Sequence, residues 1–519
     1  MNFNKKIGLL ILFSSLLRLI VAGSLELGND EVYYQAYVQH LQWSYFDHPP
    51  LVALLIRLST VNLYFQHELF IRLGSILCAA AGTWLIFKIG NRIQDGQTGW
   101  IAAILYNTSF YTSIIAGTFI LPDSPQVICW LLSMFLMVEI LADRNGGKEQ
   151  IFRFILLGIS TGLCMMSKVH GIFLWLGFGS FILFHRRDLL KNPMLYISAM
   201  IALGIISPIY LWNFANHFIT YHYQGSRIRF WGINPDPDHF LQQILGSVFY
   251  SNPVNFTLYI LTLFALTKNK IKKLPENWPL FIWLSFPLIF VLLWTALFNE
   301  TLPHWSGPSY LSLMLLTACW LREKTIPGNT TTWLKSAVWV YSLIVVLGVL
   351  GIRLLPFRIG SNLQNRLGTG DITLDMCGWK SFSQQLDSLC RSDISSSRMN
   401  PGAILISDYW FPAGHLDHYY CRPYQHNLLA FGPLQNIHHF AWLNQRRPRL
   451  TKGTDAYFIY PTNYYGPPDV KLKNDFSSIE DSILIPQNRA GNIVRYFIVY
   501  RMHGFRGDSL AYLIPGIHE

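Results

Sequence analysis

Residues 1–23 read MNFNKKIGLLILFSSLLRLIVAG, two lysines followed by an almost unbroken apolar run from Ile7 to Gly23. A basic start, an apolar stretch and small residues near Ala22 and Gly23 are the parts of a signal peptide. Arg18 interrupts the run, however, and apolar spans of the same character recur downstream, so the stretch reads as an uncleaved first membrane helix. Further spans fall near residues 71–90, 99–119, 125–142, 154–167, 170–184, 195–213, 246–266, 279–298, 308–321 and 333–352. Together they predict about eleven helices. Two of them, 154–167 and 170–184, are about 14 to 15 residues each, roughly 22 Å at 1.5 Å per residue and short of a ~30 Å hydrocarbon core. Their junction, SKVHG, is expected to be buried near one membrane surface. A lysine there is costly unless it faces a polar cavity or an anion.

The composition agrees. Of 519 residues 51% are apolar or aromatic and 13% charged, against about 25% charged in an ordinary soluble domain, which excludes a cytosolic enzyme. The net charge of +11 would suggest nucleic acid, but the basic residues stand in short clusters separated by about 20 apolar residues. About 17 of them, from Lys5 and Lys6 through Arg186 and Arg187 to Lys335, fall at one set of helix ends, and about four in the opposite short loops. The charge is therefore an orientation signal. It predicts a cytoplasmic N-terminus and, with an odd helix count, an outer location for everything beyond about residue 353. Cys78, Cys129, Cys164 and Cys319 lie in apolar runs as core residues. Cys377, Cys390 and Cys421 lie in the polar tail and allow one bridge at most.

From Arg353 the chain becomes polar, richer in Gly, Pro and Asp, with short runs AILISDYW (403–410), DAYFIYP (455–461) and IVRYFIVYRM (493–502) that read as strands. This predicts two domains, 1–352 in the membrane and 353–519 as a soluble mixed α/β domain.

The ionisable residues concentrate in the loops of the acidic, outer side. The first loop, residues 26–57, carries Asp30 and Glu31 and then Asp47-His48 before a double proline that turns the chain back to the membrane. Asn29 or Asp30 has a competing reading as a helix cap, and the tyrosines as interface aromatics. Asp123, in LPDSP, has one as an N-cap with Pro125 in the first turn. Gln224, Arg227 and Arg229 follow in WNFANHFITYHYQGSRIRF (212–230), where snorkelling is the alternative. Glu300 and His304 precede a later span. Asp236 to Asp238, DPD, reads as a turn, and no Walker loop or nucleotide-sugar DxD site in a soluble domain is visible.

DEVYY (30–34), YFDHPPL (45–51), LPDSP (121–125), GLCMMSKVHG (162–171), PIYLWNFANHF (208–218) with YQGSRI (223–228), and LPHWSGPSY (302–310) occur in that order. In this the chain resembles the bacterial branch of the protein O-mannosyltransferase family, relatives of the lipid A aminoarabinose transferases. The resemblance covers about residues 5 to 320. More loosely, DMCGW (375–379) and ISDYWFPAGHLDHYYCRPY (406–424) are similar to the outer domain that many bacterial members append. The resemblance implies a GT-C membrane glycosyltransferase with about 11 transmembrane helices. It implies transfer of a hexose or pentose from a polyprenyl phosphate to an acceptor hydroxyl of a lipid, glycan or protein. The transfer would invert the anomeric carbon, on the outer face of a bacterial inner membrane.

Asp30 matches the family's catalytic aspartate, and Glu31 would orient the acceptor or tune Asp30. The residue chemistry supports these assignments. An acceptor hydroxyl needs a base, for which a carboxylate desolvated at a membrane edge is suited. A departing lipid phosphate needs fixed cations, for which Lys168, Arg227 and His304 are candidates. Asp47 and His48 would shape the sugar or acceptor pocket, Asp123 would bind a sugar hydroxyl, and Gln224 joins the substrate-binding set. No cofactor is called for, and a divalent metal stays open. The chain departs from the family at SKVHG, where relatives more often carry an aromatic after the lysine, and at Asp47-His48, so aminoarabinose is not implied as the sugar. Two other classes compete: a transporter or flippase of lipid-linked sugars, and a noncatalytic scaffold for glycan assembly. A transporter should carry its ionisable groups at mid-membrane on broken helices in related halves, and here they cluster in loops.

Overall fold

The computed structural model describes residues 2–143, 147–227, 235–324, 329–464, 466–468 and 470–507. The chain divides into two compact units. One comprises Met1–Ala22 and His48–Val345, the other Gly23–Asp47 and Val346–Glu519. The first loop up to Asp47 thus belongs with the tail.

The first unit is helical. Among the described residues seven helices are long and apolar enough to cross a membrane: Phe3–Ser24, Glu68–Ile93, Asp123–Ala142, Lys148–Ser167, Pro193–Ala215, Pro279–Ala296 and Thr331–Leu354. Val169–His185 and Pro253–Thr267 are apolar but shorter. Several run against one another through glycine, as membrane helices do when small side chains let backbones approach. A Cβ on Gly90 would lie 2.6 Å from the Gly99 Cα, and one on Gly162 2.9 Å from the Ile205 Cβ. The helix Gly307–Glu323 is buried all round from Gly307 to Leu321, the mark of a core helix.

The described residues do not confirm a count of eleven, and several runs differ in extent from the sequence expectation for local reasons. The 99–119 run stops as an α-helix at Thr108 and continues as a π-turn, Tyr111–Ile115. The 246–266 run breaks at Asn252, whose φ of 73° no continuing helix tolerates. The following Pro253 starts a new helix, Pro253–Thr267. Asn252 is buried, and its amide donates to the Thr108 and Ala337 carbonyls at 2.9 and 3.0 Å while its oxygen caps Val254. The break is thereby built into the packing. The 154–167 run, by contrast, is longer than expected, a 20-residue helix Lys148–Ser167.

The second unit is built on a mixed sheet of strands β1 (Ile404–Ser407), β2 (Leu428–Ala430), β3 (Ala456–Pro461), β4 (Phe476–Ile479), β5 (Ile483–Arg489) and β6 (Asn492–Phe505). The order is β2-β1-β3-β6-β4, with β5 also on β6. β1 lies parallel to β2 and β3, and β6 antiparallel to β3, β4 and β5. The three runs read as strands are β1, β3 and β6. Ile406, Phe458, Met502 and Phe505 form its core on one side. The helix Trp379–Ser395 covers another part, with Phe382 stacked on Phe497 at 3.9 Å. Arg501 and Asp393 pair at 2.7 Å, and Arg489 and Asp371 at 3.1 Å, all buried. All seven cysteines are free thiols.

Candidate active site

In the helical unit the expected cost of a buried lysine is met by an anion. Lys168 ends the Lys148–Ser167 helix, with its N–H still bonded to the Cys164 carbonyl at 3.1 Å, and turns its side chain inward. It is 4% exposed. Its ammonium donates to both oxygens of Asp123, at 3.0 and 2.9 Å. Asp123 is the first residue of its helix and 1% exposed, and it caps nothing with its side chain, since Pro122 holds the cap position. The Tyr111 hydroxyl supplies a third hydrogen bond at 3.0 Å. The π-turn brings this tyrosine round, and Gly307 leaves room for it, since any Cβ there would collide with the Tyr111 ring. Gly246 does the same for Pro303, which starts the turn Pro303–Ser306 that carries His304.

His304 is half-buried, its ring 5.8 Å from Tyr250. Burial pushes its pKa down to about 4; Lys168 and His48 act in the same sense and Asp123 opposes them. At neutral pH it is therefore an uncharged ring, a hydrogen-bonding group in place of the fixed cation expected. His170, in the half-turn Val169–Gly171, lies 5.8 Å from Trp305, with its Nδ1 buried and unpartnered among the described residues. Asp123, Lys168 and His304 thus come together, joined by His48 and by two residues the sequence reading did not single out, Tyr111 and His170. Gln224 is half-buried on the helix Ile219–Arg227. The Arg227 side chain and all of Arg229 lie outside the described residues. Asp236 is an N-cap, accepting from the Asp238 and His239 N–H groups at 3.0 and 3.3 Å.

In the second unit Asp30 and Glu31 stand in the first turn of the helix Asn29–Tyr37. Asp30 is exposed and Glu31 is 1% exposed. The Glu31 carboxylate accepts from the Gly28 N–H at 2.9 Å, so it secures the start of its own helix. Asp47 accepts from the Tyr33 hydroxyl at 2.9 Å and from Tyr37, and lies 3.7 Å from the His438 ring. It ties the end of the loop to the helix. Burial and the nearby Asp47 carboxylate drive the pKa of both tyrosines well above the usual range, so both remain hydrogen-bond donors. Among the described residues no group of three or more His, Cys, Asp or Glu is placed to hold a metal ion.

Residues 47–212 match a family described as dolichyl-phosphate-mannose-protein mannosyltransferase. No curated protein matches the sequence. Among solved structures, the chain is similar to ArnT from Cupriavidus metallidurans bound to undecaprenyl phosphate, at 14% identity over 98% of this chain and 99% of that one, with a TM-score of 0.61. The apo state of ArnT gives 14% identity over 96% and 98%, with a TM-score of 0.59. The archaeal oligosaccharyltransferase AglB from Archaeoglobus fulgidus, in complex with an inhibitory peptide and a dolichol-phosphate, gives 9% over 99% and 76%, with a TM-score of 0.51. At such identities the likeness is one of fold. The chain is a multi-pass membrane protein with the GT-C glycosyltransferase fold, and over residues 47–212 it matches the dolichyl-phosphate-mannose-protein mannosyltransferase family.

Proposed function

We propose that the chain is an inverting glycosyltransferase that moves a sugar from a polyprenyl phosphate to an acceptor hydroxyl on the outer face of a bacterial inner membrane. Its N-terminus would be cytoplasmic, and residues 353–519 would form a periplasmic domain. The observation that carries this reading is the buried Lys168–Asp123 pair with Tyr111, His48, His170 and His304 about it, in a fold shared with a protein solved with a lipid phosphate. A buried pair is poor as a stability device, yet a lysine held in a low dielectric by one carboxylate can be shared with an arriving phosphate. In the reaction the bond from the sugar C1 to the phosphate oxygen breaks and one from the acceptor oxygen to C1 forms on the opposite face. The acceptor proton passes to Asp30, which is exposed. The electron pair leaves with the polyprenyl phosphate, met by Lys168 and Arg227, with neutral His304 donating a hydrogen bond. Gln224 and His48 contact the sugar or acceptor. Glu31 and Asp47 serve by fixing the Asp30 helix.

The test uses the purified chain in nanodiscs with a panel of polyprenyl-phosphate-linked hexoses and pentoses and envelope extract as acceptor. Polyprenyl phosphate is released only when acceptor is present, and Asp30→Asn lowers the rate by about 10²-fold or more while the protein stays folded. Full activity in that variant removes Asp30 as the base. Movement of intact lipid-linked sugar between leaflets without release would instead establish a flippase.

A further inference from the structure

The helix Asn29–Tyr37 has nine residues, below the ~12–15 at which an isolated helix becomes marginal in water. Besides the Glu31 bond to Gly28, its start is held by residues from the tail, some 350 to 390 positions further on. The Leu27 N–H donates to the Tyr419 hydroxyl at 2.7 Å, and the Trp379 N–H to the Glu26 carboxylate at 2.8 Å. At the far end Gln39 donates to Asp417 at 2.5 Å and accepts from Arg447 at 3.3 Å. Next to Asp30 in the chain, the Asn29 Oδ1 lies 3.0 Å from the His415 Nε2.

His415 is 0% exposed and stacked flat on Trp379, with ring centroids 4.0 Å apart and planes 1° apart. Arg495 lies over the other part of the same stack, 4.9 Å from the Trp379 ring. Burial, with Arg495 and His418 adding to it, keeps the imidazole neutral. Its Nδ1 has no partner among the described residues. An unpaired buried N–H is the costlier orphan, so the proton sits on Nε2 and is donated to Asn29. Burying an imidazole this deeply has a desolvation cost, and the Asn29 bond is what the ring returns for it.

We propose that His415, clamped by Trp379, is a positioning residue of the transfer reaction, holding through Asn29 the turn that carries Asp30. This rests on the reading of Asp30 as base. The tail is then part of the catalytic machinery, setting the orientation of a group encoded near the start of the chain. A misplacement of about 1 Å costs on the order of 10²-fold in rate.

In the full chain in nanodiscs, His415→Leu lowers kcat about 10- to 100-fold with the donor KM within about twofold. His415→Gln, whose amide can donate to Asn29, recovers most of that loss. Wild-type kcat in folded His415→Leu overturns the proposal. So does a Gln variant no better than Leu, because a merely structural ring would not distinguish a donor from an isostere. If His415→Leu fails to fold, Asn29→Ala, which removes the acceptor at a half-buried position, replaces it with the same expectation. Full activity of Asp30→Asn would remove the base and this proposal with it. An inactive Asp30→Asn beside an unaffected His415→Leu removes the positioning role alone.

Discussion

Removing either partner of the Lys168–Asp123 pair should unfold the protein far more readily than removing both. The side chains are 5% and 2% exposed, and the ammonium reaches both carboxylate oxygens at about 3 Å. At that distance and an effective dielectric near 20 the attraction is about 5 kcal/mol, much of it offset by the desolvation of two ions. The net value of the pair is therefore small, but the value of each partner to the other is not. Lys168→Met leaves Asp123 buried with, among the described residues, the Tyr111 hydroxyl as its one hydrogen-bond donor, and Asp123→Asn leaves an ammonium with a single amide oxygen, each at a cost of about 3–5 kcal/mol. The double variant loses only about 1–2 kcal/mol, so the coupling is about 4 kcal/mol or more. Unfolding of the four proteins in mixed micelles, followed by tryptophan fluorescence, measures this without reference to activity. Additive losses, or single variants as stable as wild type, would refute the claim that burial makes the pair interdependent.

Gly307→Ala places a methyl group into the Tyr111 ring and should cost about 1–3 kcal/mol through overpacking. Hydrogen exchange or unfolding in micelles reads the loss, and wild-type stability would show that Tyr111 is not packed on that glycine. The pH dependence follows from His304, whose folded pKa of about 4 lies below its ordinary 6.5. The unfolded chain takes up a proton at this residue before the folded one does. Its contribution is therefore complete above about pH 6.5 and is lost as pH falls toward 4. His304→Gln should flatten the fall in apparent Tm across that window; an unchanged slope would contradict the assignment.

The membrane character, the strands β1, β3 and β6 and the cost of Lys168 were legible in the sequence, because each rests on a local pattern. Apolar runs mark spans, alternation marks strands, and a charge in a span demands a partner. The partner itself lay in another loop, and Asp123 was read beside a capping alternative because an Asp between prolines suits either use. Tyr111 gave no signal, since a tyrosine in an apolar run looks like any interface aromatic. The break at Asn252 was encoded in the Asn-Pro dipeptide, but uninterrupted hydropathy outweighed it. The division of the chain was the least legible feature. Asn29 and His415 are separated by 386 positions, and no periodicity links them. Glu31, read as orienting the acceptor or tuning Asp30, also accepts from the Gly28 N–H, which only a three-residue return of the backbone reveals.

Because Gly23–Asp47 belongs to the same compact unit as Val346–Glu519, the order of synthesis matters. The segment that carries Asp30 leaves the ribosome roughly 370 residues before β1, the first of the strands that complete its unit. At about 5–20 residues per second it waits some tens of seconds without its partners. A chain cut short in the membrane region would insert its helices, carry the Lys168–Asp123 pair and still lack the scaffold that shapes the Asp30 turn. Interleaving of this kind makes completion of the unit that holds Asp30 conditional on translation reaching the tail strands.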